Sequence, residues 1–481
     1  MDRFADHRRR LAELIGPEGL AVVPASVEVT RNSDVGHPFR QDSDFYYLTG
    51  FVEPEAVCVL APGYDDGDFF LFVRPRDREM EIWNGYRAGV EGAEKIFGAD
   101  RAYELSRLDE ILSKLVVGRE AIFYCLGNRQ HDPRITALVA KARSYRDRLG
   151  KPSPDRIVDI SRPLANLRIR KSEEEIESLR AACELSAEGH REAMRFAEPG
   201  MYEYQVQAAM EFVWREGGSE RNGYPSIVAS GPNAVILHYT ENDRQIEDSD
   251  LVLIDAACEV DYFSADITRT FPAGGEFSAA QHALYDVVLT AQRAAIARCS
   301  PGATLRDVHE TAKRYLTEGL IDLGLLPGSL EDAMAMHHYR EFFMHGTSHW
   351  LGLDVHDVGP YRNASGHVPL EEGMVFTVEP GIYVSPDRDE IELHLLTYDL
   401  DQWTERRITK GIDAARREED EEKESARRIS HRIPPEFRGL GVRIEDDILM
   451  TQEGHENLSR LAPTSPDEIE ELCKEPSWMR R

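Results

Sequence analysis

"LVLIDAACEVDYFSADITRTF", residues 251–271, decides how this chain is read. Two apolar runs, 251–257 and 263–271, flank polar turn residues, so the stretch reads as a β-hairpin. With the turn centred between Val260 and Asp261, Asp255 and Asp266 fall directly opposite one another. Opposed side chains share a sheet face with Cβ atoms about 5 Å apart. Carboxylates that close repel, which raises one pKa or demands a counter-charge. Three readings are open: aspartates that merely flank a turn, a shared proton, or a divalent cation.

More carboxylates aimed at the same place favour the cation. "MVFTVEPGIY" (374–383) is an apolar strand that ends on Glu379, just before a Pro-Gly turn. "GVRIEDDILM" (441–450) alternates, with Val442 and Ile444 on one face and Arg443 and Glu445 on the other. An inward glutamate on a buried strand is costly unless it is paired or coordinating. A plain Arg443–Glu445 ion pair is the competing reading. Four carboxylates and a histidine neutralise two divalent cations. Oxygen donors with one imidazole suit Mn²⁺, with Co²⁺, Fe²⁺ and Zn²⁺ as options. Two such ions roughly 3.5–4 Å apart can clamp a hydroxide beside a polarised carbonyl, so hydrolysis is the natural chemistry.

"HGTSHWLGLDVHDVG" (345–359) adds His345, His349 and His356. The first two are four apart, as on one helix face, but Gly346 stands where a HExxH zinc helix needs Glu. Gly346 and Gly352 also weaken a helix. Spacing alone does not say which histidine does what.

The 481 residues suggest two or three domains, with 41% hydrophobic composition and no apolar run approaching a membrane span. The charged N-terminus "MDRFADHRRRLAELIG" reads as an amphipathic helix without a signal-peptide core, so a cytoplasmic location is expected. The six scattered cysteines form no CxxC and read as reduced thiols. A formal net charge of -30 argues against nucleic acid or anionic membrane as partner. It fits either a high-salt cytoplasm or an arginine-biased genome.

Residues 1–165 read as a mixed αβ domain, with strands at 56–62 and 68–74 joined by a turn at 63–67 and helices near 103–116 and 131–147. The stretch 148–159 reads as the boundary. A helix with an acidic start runs from 171 to Pro199-Gly200, and further helices stand near 278–298 and 305–322. Residues 387–432 stand apart: "DEIELHLLTYD" (389–399) alternates like a strand, and 404–432 are almost all charge. A solvated helix or partly ordered insertion is expected there.

In that order, Asp255, Asp266, His349, Glu379 and Glu445 resemble the metal-ligand set of the pita-bread metallopeptidases. The words "ILHYTEND" (236–243), "FFMHGTSHWLGLDVHDVG" (342–359), "TVEPGIY" (377–383) and "RIEDD" (443–447) resemble the Xaa-Pro aminopeptidase (aminopeptidase P) family. So do "FRQDSDFYYLTGFVEPEAVCVL" (39–60) and "EIWNGYRAG" (81–89) in the N-terminal half. The resemblance implies an α/β (α+β) fold. A creatinase/prolidase-type αβ domain (1–165), for oligomerisation and substrate access, precedes a pita-bread catalytic domain (166–481) of two pseudo-symmetric halves, interrupted by the insertion.

It implies an enzyme that removes the first residue from peptides with proline second, through attack by a metal-bridging hydroxide. Asp255 and Asp266 would bind the first metal, His349 and Glu379 would complete the second, and Asp266 and Glu445 would bridge. Glu379 would relay the proton, His356 would stabilise the oxyanion, and His238 would line the site and position substrate. His345, Arg443 and Tyr224 would contact substrate, the first two on its proline side. Trp83 matches a position that reaches a neighbouring subunit, so a homodimer or homotetramer is expected. The nearest rival is a prolidase restricted to Xaa-Pro dipeptides, and the remote one a non-catalytic pita-bread binding module.

Overall fold

The structure is a computed structural model that describes residues 2–397 and 400–480. It divides into two compact units, Met1–Arg168 and Ile169–Arg481.

The first unit is built on a six-stranded mixed sheet. Its order is Arg101–Glu104, Phe69–Val73, Val57–Leu60, Gly19–Pro24, Ala121–Phe123 and Arg156–Val158. The expected hairpin forms, with Val57 opposite Phe72. The helix expected near 103–116 starts late: Arg101–Glu104 pairs in parallel with Phe70–Val73, and the α-helix is Leu108–Leu115. Leu108, Ile111, Leu112 and Leu115 all pack inward from that helix. The edge strand Arg156–Val158 is drawn from the stretch expected to be a boundary.

In the second unit, three long helices start on side-chain caps. Ser172, Ser278 and Thr304 accept from the third residue of Glu173–Phe196, Ala279–Arg298 and Leu305–Asp322, whose Glu175, Gln281 and Asp307 reach back. This satisfies amides that the first turn leaves free, and three glutamates at 173–175 suit the positive end of the dipole. The helices cover sheets whose strand faces are apolar: Leu251, Val252, Ile254 and Phe271 share one core with Leu284, Val288, Leu316 and Leu320.

The central hairpin is shifted from its expected register. Its turn is Asp261-Tyr262, both with positive φ (52° and 70°), between paired Val260 and Phe263. That geometry is a two-residue mirror-image turn, matched to the twist of its strands. Asp255 therefore faces Thr268, not Asp266. A shift of one pair moves the partner by two residues, and because strand side chains alternate, Asp266 keeps the face of Asp255.

The second half repeats the arrangement. Val375–Val378 pairs with Asp446–Met450, and Gly381–Tyr383 pairs with Gly441–Arg443. One register serves both ladders, so Glu379 and Glu445 stand opposite each other at the interruption. Thr268 bridges to Glu445, joining the halves. Arg269, 0% exposed, stitches the same seam by donating to the Glu445 carbonyl at 2.6 Å and Asp446 Oδ1 at 2.6 Å.

The insertion is ordered at both ends. Glu390–His394 pairs with Arg428–Arg432, and helices Leu400–Lys410 and Ile412–Ser425 form a hairpin between them. Tyr398 and Asp399, at the end of the expected strand, lie outside the described residues. No helix among the described residues is long and apolar enough to cross a membrane.

Candidate metal centre

A cavity of about 250 Å³ opens in the second unit, lined by Asp255, Asp266, His349, Glu379 and Glu445 together with His238, His345, His356, Arg443 and Leu237. The strand ends explain the convergence. Asp255 is the last residue of Leu251–Asp255, and Glu379 and Glu445 stand where one ladder passes to the next.

The histidine segment is extended, not helical. Thr377 N–H donates to the His349 carbonyl at 3.0 Å, and Glu379 N–H donates to the Thr347 carbonyl at 2.8 Å. This lays residues 347–350 along Val375–Val378 and brings His349 beside Glu379. His349 Nδ1–H donates to the Trp350 carbonyl at 3.1 Å, which turns Nε2 to the carboxylates: 3.3 Å from Asp266 Oδ2 and 3.8 Å from Glu379 Oε1. One ligand atom each from Asp266, His349 and Glu445 lies within 4.8 Å of the others.

The cluster sets four carboxylates against the positive charges of Arg443 and His349. Burial pushes Glu379 up to about 8, with Asp266 and Asp255 adding to it against the opposing charges of His349 and Arg443. Burial and neighbouring carboxylates hold Glu445 well above the usual range, and burial raises Asp255 against the pull of Arg443. For His349, burial works downward, but the hydrogen bond and charge of Asp266 and the charge of Glu379 overcome it and hold it at about 9. Asp255 Oδ1 is buried without a hydrogen-bond partner. An orphaned carboxylate oxygen among crowded carboxylates, with one imidazole nitrogen turned toward them, is a donor set that fits divalent cations.

Arg443 does not pair with Glu445. Its Nη2 donates to Asp255 Oδ2 at 2.6 Å, its Nη1 to Tyr383 Oη at 3.0 Å and its Nε to Thr268 Oγ1 at 3.1 Å. Tyr383 Oη contacts His345 Nε2 at 2.8 Å, and His345 Nδ1–H donates to the Gly346 carbonyl at 2.7 Å. Burial, aided by the charge of Arg443, lowers His345 to about 3, so it is a neutral wall. His356 is exposed and meets the His349 ring edge-on at 4.4 Å; burial lowers its pKa, with the charge of His349 adding. His238 is exposed at the rim.

Tyr224, expected on substrate, donates its hydroxyl to Asp266 Oδ1 at 2.6 Å. Trp83 lies in the first unit, on helix Arg78–Asn84, 79% exposed. Asp357 forms a buried ion pair with Lys171 at 3.1 Å. Sequence reasoning missed Tyr383, Thr268 and Leu237. The first two carry hydroxyls beside the motif carboxylates, but nothing in their spacing announces it.

The two-halved αβ fold, with carboxylates and one histidine converging at its centre, defines a pita-bread metallopeptidase. Residues 177–452 match the model of metallopeptidase family M24, and residues 4–124 match the aminopeptidase P N-terminal domain. The chain is 38% identical to an Xaa-Pro aminopeptidase of Escherichia coli over 98% of this chain and 97% of that one. It is 36% identical to an Xaa-Pro aminopeptidase of Haemophilus influenzae over the same shares. Among solved structures it resembles the aminopeptidase PepP of Pseudomonas aeruginosa, with TM-score 0.86 and 42% identity over 98% and 97% of the two chains. It also resembles zinc-substituted E. coli aminopeptidase P in complex with product, with TM-score 0.85 and 38% identity over the same shares. The chain belongs to metallopeptidase family M24 and carries the aminopeptidase P N-terminal domain.

Proposed function

We infer that this protein is a metal-dependent Xaa-Pro aminopeptidase, releasing the first residue of peptides whose second residue is proline. The observation that carries the reading is the convergence of Asp255, Asp266, His349, Glu379 and Glu445 in one cavity of a family M24 chain.

In this reading Asp255, Asp266, His349, Glu379 and Glu445 would hold two divalent cations, Mn²⁺ foremost. Bound cations supply Lewis acidity toward the scissile carbonyl and make water a better nucleophile. Glu379 accepts a proton from the attacking water and passes it to the proline nitrogen as the C–N bond breaks. That delivery matters because the leaving nitrogen of an Xaa-Pro amide carries no hydrogen of its own. His356 donates to the developing oxyanion. Asp255 receives the substrate's free amine, and His238 positions the chain at the rim. His345, Arg443 and Tyr383 form the wall against the proline ring. Tyr224 orients Asp266 through its 2.6 Å hydrogen bond.

Residues 1–165 serve assembly and access in the same reading, and the protein is a homodimer or homotetramer. Trp83, Ile82 and Tyr86, at 79%, 76% and 89% exposure, supply an apolar patch suited to a subunit contact. Six free thiols suit a reducing, cytoplasmic setting.

The test against a prolidase is kinetic. Ala-Pro and Ala-Pro-Ala are offered side by side to Mn²⁺-loaded enzyme. The tripeptide is expected to be cleaved at least ~10-fold faster in kcat/KM, a difference of about 1.4 kcal/mol. Cleavage of the dipeptide alone would assign a prolidase.

A further inference from the structure

A second cavity, of about 260 Å³, lies between residues 336–344 and the insertion. Met344, Arg340, Trp403, Glu419, Lys423 and His394 are among its walls. The insertion is tied down along it. His338 Nε2–H donates to the His394 carbonyl at 2.9 Å, His394 Nδ1–H donates to the Lys423 carbonyl at 3.0 Å, and Arg388 pairs with Glu341 at 3.0 Å.

The charges of this groove are unevenly spent. Glu419 accepts from Trp403 Nε1 at 2.6 Å and pairs with Lys423 at 2.7 Å. The Trp403 ring carries the Arg407 guanidinium 3.3 Å from its centroid and that of Arg340 at 5.6 Å. Arg340 is exposed and forms no close ion pair among the described residues, its charge reaching Glu419 only at longer range. Arg407 Nε is buried without a hydrogen-bond partner. The groove therefore offers an exposed guanidinium free of any close ion pair beside an aromatic ring and two methionines, in a chain of net charge -30. That is a receptor for a carboxylate attached to a variable side chain.

Met344 lines this groove and its neighbour His345 lines the metal cavity. Adjacent Cα atoms are about 3.8 Å apart, and an extended peptide advances roughly 3.3–3.6 Å per residue. One to three further residues are enough to span from a proline held against His345 past this shared stretch of wall. We propose that the groove between residues 336–344 and the insertion holds the residues C-terminal to proline in a short peptide substrate, with the peptide's terminal carboxylate on Arg340. This rests on the aminopeptidase reading and adds to it a preference for short peptides with a free C-terminus, made by a segment outside the metal centre.

The experiment compares Ala-Pro-Ala, Ala-Pro-Ala-Ala and Ala-Pro-Ala-Ala-Ala, each with a free carboxylate and as the C-terminal amide, on Mn²⁺-loaded full-length enzyme. For at least one length the amide is expected to have about tenfold higher KM, the size of one charge-assisted contact. In Arg340→Gln that ratio is expected to collapse to about one, and in Arg340→Lys to recover in part. Trp403→Leu should shrink it without removing it. A ratio near one at every length in the wild type, or a ratio unchanged in Arg340→Gln, overturns the proposal while cleavage itself leaves the aminopeptidase reading standing. No cleavage of any of the six peptides overturns both.

Discussion

The main-chain N–H of Asp266 donates to Asp447 Oδ2 at 2.9 Å, and the same oxygen receives the Cys183 thiol at 3.2 Å. Asp447 is 0% exposed and its own N–H donates to Ser459 Oγ at 2.9 Å. A residue two positions past Glu445 therefore fixes the backbone of Asp266, so both proposed bridging carboxylates hang on one strand.

As acceptor for the Asp266 N–H, Asp447 would hold that proposed ligand in place. Asp447→Ala is expected to weaken metal affinity by about 10–100-fold, the usual cost of losing a partner that orients a ligand. Asp447→Asn, which keeps an acceptor for the Asp266 N–H, should recover most of it. Calorimetric titration of metal into both variants, with circular dichroism to verify folding, checks this. Equal loss in both variants would make the role one of charge alone.

The three histidines of 345–359 are expected to separate in their effects on metal and on rate. His349→Ala is expected to lose metal occupancy, measured by elemental analysis. His356→Ala should retain metal and lose about 10²–10³ in kcat, the scale for one oxyanion donor. His345→Ala should raise KM and also lower kcat, because the ring touches Tyr383 and its Nδ1 lies 3.4 Å from Glu379 Oε2.

His190 sets an acid limit on stability. Its Nε2 contacts the Ala256 carbonyl at 2.8 Å, and burial, with the charge of Arg269, lowers its pKa to about 3. Against an unfolded value of about 6.5, the unfolded chain binds a proton in that window that the folded one refuses. The stability it contributes is fully present above pH ~6.5 and is lost progressively as pH falls toward about 3. By pH 5 the loss is about 2 kcal/mol. Thermal unfolding from pH 7 to 5 should fall less steeply in His190→Gln, which can still donate to Ala256. An identical slope would remove His190 from the acid limit.

Much of the centre is legible in the sequence because carboxylates in apolar strands are conspicuous. Asp255, Glu379 and Glu445 each interrupt or end an apolar run, and the cost of burying them unpaired points to a cation. The pairing is not legible in the same way. The facing carboxylates are Glu379 and Glu445, while Asp255 faces Thr268, because the turn uses Asp261 and Tyr262 at positive φ where the sequence offers no glycine. Asp447 and Tyr383 are hidden for another reason: their partners lie far away in sequence, and contact between distant strands depends on register. In the first unit, Arg101–Glu104 suits either helix or strand by its side chains, and pairing with Phe70–Val73 decides it.

Cleavage after the residue preceding proline is expected to require bound metal. The direct measurement is mass spectrometry of Ala-Pro-Ala incubated with the protein as purified, after complete chelation, and after Mn²⁺ is restored. Free alanine and Pro-Ala are expected in the first and third samples and intact tripeptide in the second. Undiminished cleavage by the fully metal-free protein, or intact peptide with metal bound, would contradict it.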